Sequence, residues 1–219
     1  MSVALFRLLL QASGLTVAIS AVSIVLGFAV GTMVSVAMLS PSRALAVPAR
    51  VFVSFFRGVP LLVQLLLIYN LLPVLGIDVP GIVAAIVGLS LCTAAYQAEN
   101  LRGGFAGVPR GLIEAADMVG LGPVQQFWRI RLPIAFKLTL PSLVSEAIMI
   151  LKASSLVSVV GVVELTRMAQ DLASSTYEPL PMFAMAGLLY FVIDGVIAGA
   201  GTVLERRLQW GHGAPRGGQ

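Results

Sequence analysis

The chain has 219 residues, of which 58% are hydrophobic and 11% are charged, and its mean hydropathy is +0.97. So little polar surface excludes a water-soluble globule and favours a protein whose solvent is the lipid bilayer. The formal net charge of +4 is explained by where the basic residues lie along the chain, so we expect no nucleic-acid partner.

Five apolar stretches have the length of about 20 residues or more that lets a helix cross a bilayer. In chain order they cover residues 13–39, 58–77, 79–98, 138–163 and 181–203. None alternates as barrel strands do, so the predicted fold is all-α. We expect a polytopic membrane protein with five transmembrane helices in a single domain, residues 1–210, and a disordered tail at 211–219.

The Lys and Arg residues fall mostly on one side of these spans. That side comprises the connections after spans one and three and the C-terminal segment, with Arg43, Arg50, Arg57, Arg102, Arg110, Arg129, Arg131, Lys137, Arg206, Arg207 and Arg216. The opposite side holds only Arg7 and Arg167. The positive-inside rule therefore predicts an external N-terminus and a cytoplasmic C-terminus.

The connection between spans three and four, about 99–137, is far longer than two adjacent helices require. Pro109 can begin a short helix over 110–119, and Gly120 can end it. A second short helical piece is expected over 124–130, and it runs into Leu132 and Pro133. The sequence thus predicts a compact cytoplasmic helix-turn-helix. The outer connection 164–179 carries mixed charges and is either a docking rim or a solvated loop.

Within the long connection the spacing EAA-x3-G-x9-I-x-LP resembles the cytoplasmic loop of bacterial ABC importer permeases. That resemblance implies that the first short helix docks on a separate ATPase subunit. The implied coupling residues are Glu114, Ala115, Ala116, Asp117, Gly120, Ile130, Leu132 and Pro133. The small alanines would let a partner's backbone approach, and Gly120 would permit a sharp exit. The structural alternative is an amphipathic loop that packs on its own bundle.

Four further segments resemble the polar amino-acid branch of that family: RGVPLLVQ at 57–64, YQAENLRG at 96–103, KASSL at 152–156 and ERR at 205–207. The resemblance to this branch, whose members transport histidine, glutamine, arginine or opines, implies several partners. These are a dimer of ABC ATPases, a second permease subunit and an extracytoplasmic substrate-binding protein. They work in the bacterial inner membrane by alternating access, and the second permease is either an identical chain or a sibling. Ala153 departs from the branch, where an acidic residue often precedes the hydroxyl pair.

The chain has no nucleotide-binding motif of its own, because neither Lys137 nor Lys152 follows a glycine as a P-loop requires. We therefore expect no enzymatic activity and no cofactor, with ATP and magnesium bound by the partner ATPase. Cys92 is the only cysteine and lies in an apolar run, so we expect a buried small side chain and no metal site.

Ionisable residues inside a membrane are costly and are therefore candidates for function. Spans four and five carry Glu146, Lys152 and Asp194. A zwitterionic amino acid needs a cation for its carboxylate and an anion for its amine. Lys152 with Ser154 and Ser155, opposed by Asp194, is therefore a candidate substrate site. In the structural alternative, Lys152 is neutralised by Asp194 or by Glu146.

Two other classes of function use the same residues. A secondary transporter driven by an ion gradient would use the charges in the spans for coupling, but it normally shows inverted repeats and more spans. An intramembrane hydrolase would need Lys152 with Ser154 or Ser155 as a nucleophile system. The long connection and the absence of an internal repeat favour the importer. Locally, we expect Arg57 to be an interfacial anchor and Glu99 to pair with Arg102.

Overall fold

The computed structural model describes the backbone of residues 3–209 and the side chains of residues 3–207. In that range the chain is all-α, as predicted, with no strand. Its α-helices are Val3–Met38 (α1), Arg43–Gly58 (α2), Leu61–Val74 (α3), Gly81–Ala106 (α4), Arg110–Met118 (α5), Pro123–Gln126 (α6), Leu132–Ala153 (α7), Leu165–Thr176 (α8) and Pro179–Gln209 (α9). A π-helical turn, Phe127–Arg131, joins α6 to α7, and a 3-10 segment, Ser154–Val160, follows α7. The predicted tail at 211–219 lies outside the described residues.

By length and composition, four helical segments of the described chain can cross a membrane: α1, α4, Pro123–Val160 and Pro179–Arg207. The pair α2 and α3 passes the same test together, although the two helices are bent by 107°. Counted as one span, this pair completes the five predicted spans. The helix α3 alone has 14 residues, about 21 Å of rise against a hydrocarbon core of about 30 Å.

The bend between α2 and α3 corrects the expectation of one helix over 58–77. Val59 and Pro60 both have extended backbone, with ψ angles of 132° and 136°. A proline pushes the residue before it out of the helical region, so Pro60 explains why α2 ends here. The side-chain amide of Gln64 then donates to the carbonyls of Phe56 (2.9 Å) and Val59 (2.7 Å), which the bend leaves without helical partners.

The most extensive helix packing lies between α1 and α4. A Cβ added at Gly27 would lie 2.5 Å from Thr93 Cβ, and one added at Gly31 would lie 2.8 Å from the carbonyl oxygen of Ala94. Glycines four residues apart let two backbones approach closely inside a membrane, where van der Waals contact drives association. The crossing therefore depends on the absence of a side chain at these two positions.

Candidate membrane site and coupling segment

Lys152 and Asp194 come together between α7 and α9. Lys152 lies in the last turn of α7, and its Nζ is 3.4 Å from Oδ2 of Asp194. Asp194 lies halfway along α9, about 22 Å from either end at the helical rise of 1.5 Å per residue. Of the two pairings that the sequence left open, the structure forms this one. The other oxygen of Asp194, Oδ1, is buried and has no hydrogen-bond partner among the described residues.

The two sides of this ion pair differ in exposure. The Asp194 side chain is 15% exposed, whereas the Lys152 side chain is 64% exposed on the surface of the single subunit. An ammonium in direct contact with lipid tails at this depth would be costly. The surface around Lys152 therefore requires a polar cavity or another protein beside it.

Ser154 and Ser155 shape the end of α7. Their hydroxyls donate to the carbonyl oxygens of Leu151 (2.6 Å) and Lys152 (2.8 Å), where α7 gives way to the 3-10 segment. The expected span over 138–163 is thus an α-helix only as far as Ala153, since these hydroxyls compete for the helical carbonyls. Ser154 is fully buried. Because both hydroxyl protons are used inside the chain, the serines retain acceptor capacity only.

A second polar cluster, which the sequence analysis did not identify, lies between α2, α4 and α7. The guanidinium of Arg57 lies over the ring of Tyr96, 5.3 Å from its centroid. Glu146 is 7% exposed, interacts electrostatically with Arg57, and has a buried Oε1 with no hydrogen-bond partner among the described residues. Glu99 pairs with Arg102 as predicted. The available signal was the presence of Arg57 and Tyr96 in two of the family-like segments.

The predicted coupling residues divide between the exposed and buried faces of α5. Glu114 and Ala115 are exposed, and Ala116 is buried at 3% exposure. Gln126, which the sequence analysis passed over, is also buried. Its amide donates to Oδ1 of Asp117 (2.5 Å) and to the carbonyl of Leu121 (2.8 Å), and so fixes α5 against α6.

Gly120 ends α5 with a φ of 76°, a left-handed conformation that glycine adopts without strain. The amide of Leu121 donates to the carbonyl of Ala116 at 3.0 Å, which is the Schellman arrangement of a helix end. This confirms the predicted helical stop after α5.

The second short helix, which the sequence predicted over 124–130, extends into the helix of the fourth span. It continues through the π-helical turn, which contains Ile130, directly into α7, where Leu132 and Pro133 form the first turn. Pro133 cannot donate a backbone hydrogen bond, but the wider π-helical ring before it lets the helix continue. The segment from α6 to the end of α7 is therefore one uninterrupted helical rod.

The connection that was expected to be a polar loop contains α8, and a buried carboxylate forms its N-terminal cap. Glu164 is fully buried, and it accepts hydrogen bonds from the backbone amides of Thr166 and Arg167 (both 2.8 Å) and from the hydroxyl of Tyr190 (2.9 Å). Burial raises the pKa of the Glu164 carboxyl, and these hydrogen bonds oppose that shift. The cap links α8 to α9. The Arg167–Asp171 pair and Glu178 keep the expected exposed, charged character.

The chain is similar to known transport proteins over most of its length. The family of inner membrane components of binding-protein-dependent transport systems matches residues 23–210. A probable amino-acid ABC transporter permease of Bacillus subtilis is 34% identical over 202 residues, covering 92% of this chain and 89% of that protein. The nopaline transport permease of Agrobacterium fabrum is 37% identical over 204 residues, covering 88% and 84%. A crystal structure of an amino acid ABC transporter with histidines is 32% identical, with a TM-score of 0.83 and coverage of 92% and 94%.

Proposed function

This chain belongs to the family of inner membrane components of binding-protein-dependent transport systems, and we propose that it carries a polar amino acid or a close derivative. Family membership makes it a multi-pass inner-membrane permease subunit of an ABC importer, in preference to an ion-gradient carrier. The named cargoes of the similar proteins, an amino acid in one and nopaline in another, support the cargo class. The family also implies an ABC ATPase dimer and an extracytoplasmic substrate-binding protein as partners.

A second permease subunit, either identical or a sibling, completes the pathway. The observation that carries the proposal of a second permease is the exposed Lys152 ammonium, which pairs with Asp194 halfway along α9 and which a lone subunit would leave against lipid. The partner's surface would enclose this side of α7 and α9 in a polar pathway. The distribution of basic residues supports a cytoplasmic C-terminus and an external N-terminus.

Lys152 and Asp194 recognise the two charged groups of the substrate. The unpartnered Oδ1 of Asp194 is an acceptor for an ammonium group, and Lys152 is a donor for a carboxylate. An amino acid entering between them would replace one ion pair with two, at no net loss of charge pairing. Ser154 and Ser155 contribute by holding Lys152 at the end of α7, and Glu146 supplies a further negative charge along the pathway.

The segment from α5 to α7 couples transport to a separate ATPase, which binds the ATP and magnesium. Glu114 and Ala115 form the exposed docking face, and Asp117, held by Gln126, fixes the register of α5. Gly120 connects that face to the helical rod, which contains Ile130, Leu132 and Pro133. Because this rod is unbroken as far as the last turn of α7, a displacement of α5 reaches Lys152 along α7, which is about 33 Å long.

The test uses the transporter reconstituted in proteoliposomes with its ATPase, second permease and loaded binding protein. Glu114→Lys should abolish stimulation of ATP hydrolysis by the binding protein, because it reverses a charge on the docking face. Glu205→Lys, which reverses a charge near the end of α9, is the matched control and should keep the stimulation. Full stimulation of the Glu114→Lys complex would rule out docking at α5, and uptake of labelled amino acids tests the cargo separately.

A further inference from the structure

A cleft of 1180 Å³ opens between the C-terminal half of α1 and the segment that leads from α4 to α7. Phe28, Met33 and Val36 of α1 line one wall, and Trp128 of the π-helical turn lies in the lining as well. Met33 is 72% exposed and Trp128 is 63% exposed, so the apolar surface is open to a ligand. The transport pathway proposed above, on α7 and α9, does not use this cleft.

The charges in the cleft are of one sign. Arg110, at the start of α5, and Arg131, at the end of the π-helical turn, line it, and no aspartate or glutamate does. The three ion pairs among the described residues involve neither arginine. Guanidinium groups pair with phosphate through two parallel hydrogen bonds. The cleft therefore combines an apolar wall with two cations that lack a protein counter-ion.

The dimensions fit one leaflet of a bilayer. From Phe28 to Leu39 the wall formed by α1 extends about 16 Å, which is about half of a hydrocarbon core of 30 Å. Arg110 and Arg131 lie on the side of the membrane that the proposed orientation makes cytoplasmic. Tryptophans such as Trp128 favour the level of the lipid headgroups.

We propose that this cleft binds an anionic phospholipid of the cytoplasmic leaflet. Its phosphate lies against Arg110 and Arg131, and an acyl chain extends along Phe28, Met33 and Val36. Basic pockets between membrane helices on the cytoplasmic side are suited to such headgroups. The bound lipid bridges α1 and the segment from α5 to α7, so it stabilises the position of the coupling segment relative to the bundle.

The experiment is native mass spectrometry of the full-length chain, purified with its partner subunits and titrated with phosphatidylglycerol or phosphatidylcholine of identical acyl chains. The first phosphatidylglycerol should bind more tightly than the first phosphatidylcholine, by about fivefold for each arginine. The Arg110→Gln/Arg131→Gln variant should lose this preference. The Arg43→Gln/Arg50→Gln variant removes two charges from the same side, outside the cleft, and should keep it.

Two further arms identify the ligand. Ala29→Trp places a large ring in the apolar wall and should weaken phosphatidylglycerol binding, whereas inorganic phosphate should not displace the lipid. The proposal is wrong if the two lipids bind equally, if the Arg110/Arg131 variant keeps the preference, or if the control variant loses it equally. Displacement by inorganic phosphate, or a cleft closed to lipid by the second permease, would also overturn it. Binding is read without transport, so the result is independent of the proposed cargo.

Discussion

The ion pair of Lys152 and Asp194 can serve either to recognise the substrate or to pack α7 against α9. Both roles predict that removing one charge is harmful, because the remaining charge loses its counter-ion. They differ when both charges are removed together. A pair that only packs becomes dispensable, whereas a pair that recognises substrate does not.

We therefore predict that Lys152→Met/Asp194→Asn restores the thermal stability that either single change lowers but does not restore uptake. The measurements are the melting temperature of the purified complex and the uptake of labelled amino acid at several concentrations. Ser145→Ala, an exposed change in the same helix, is the control. Recovery of both stability and uptake in the double variant would assign the pair to packing alone.

Glu164 gives a prediction about pH. Its folded pKa is raised by burial above the unfolded value of about 4.3. A raised pKa stabilises the fold below the unfolded pKa, and this contribution is lost as the pH rises through the folded value. We predict that the melting temperature of the native chain, compared with that of Glu164→Gln, falls as the pH rises from about 4.3 through that window. Glu178→Gln, an exposed change nearby, should show no such trend. A native melting temperature that rises relative to that of Glu164→Gln over this pH range would contradict the prediction.

At the scale of helices, the crossing of α1 and α4 explains how two long apolar helices find one register. Gly31 faces the backbone of α4, where a Cβ would meet the carbonyl oxygen of Ala94 at 2.8 Å, whereas a Cβ at Gly14 of the same helix would meet nothing within 4 Å. A backbone atom cannot move aside as the end of a flexible side chain can. The two glycines therefore form a matched pair for a test.

We predict that Gly31→Leu lowers stability by about 1–3 kcal/mol, the usual cost of overpacking, whereas Gly14→Leu leaves it nearly unchanged. The measurement is the melting temperature of the detergent-purified complex, followed by size-exclusion chromatography. Equal melting temperatures for the two variants would show that α1 can be displaced from α4 at little cost.

The same scale shows what the sequence could predict. Hydropathy located the spans because their length and composition are local properties, and the loop pattern located α5 because Gly120 needs a left-handed backbone. The bend at Pro60 was not predicted, because the hydropathy of residues 58–77 carries no information about the direction of the helix axis. Three further features were not predicted, because each depends on partners brought together by folding. They are the π-helical turn, the hydrogen bonds of Gln126 to Asp117 and Leu121, and the Glu164 cap.

At the scale of the whole molecule, the coupling segment and the charged pair occupy opposite ends of one helical rod. In the proposed mechanism, binding of the ATPase at α5 can act on Lys152 only if α5 is rigidly held against that rod. The side chain of Gln126 provides this connection, since it is buried and donates to both Asp117 and Leu121. Loss of the two hydrogen bonds should loosen α5 without affecting the ATPase itself.

We predict that Gln126→Leu keeps the assembled complex and its basal ATP hydrolysis but lowers stimulation by the loaded binding protein on the order of tenfold. Two hydrogen bonds of about 1 kcal/mol each are sufficient for a change of that size. Gln125→Leu changes the exposed neighbouring glutamine in the same way and should behave as the native chain. The measurements are ATPase rate and uptake in the same proteoliposomes, so that transport per ATP is obtained directly. The proposed coupling path runs from α5 to the spans through Gln126, so native stimulation in the Gln126→Leu complex would mean that coupling does not depend on its hydrogen bonds.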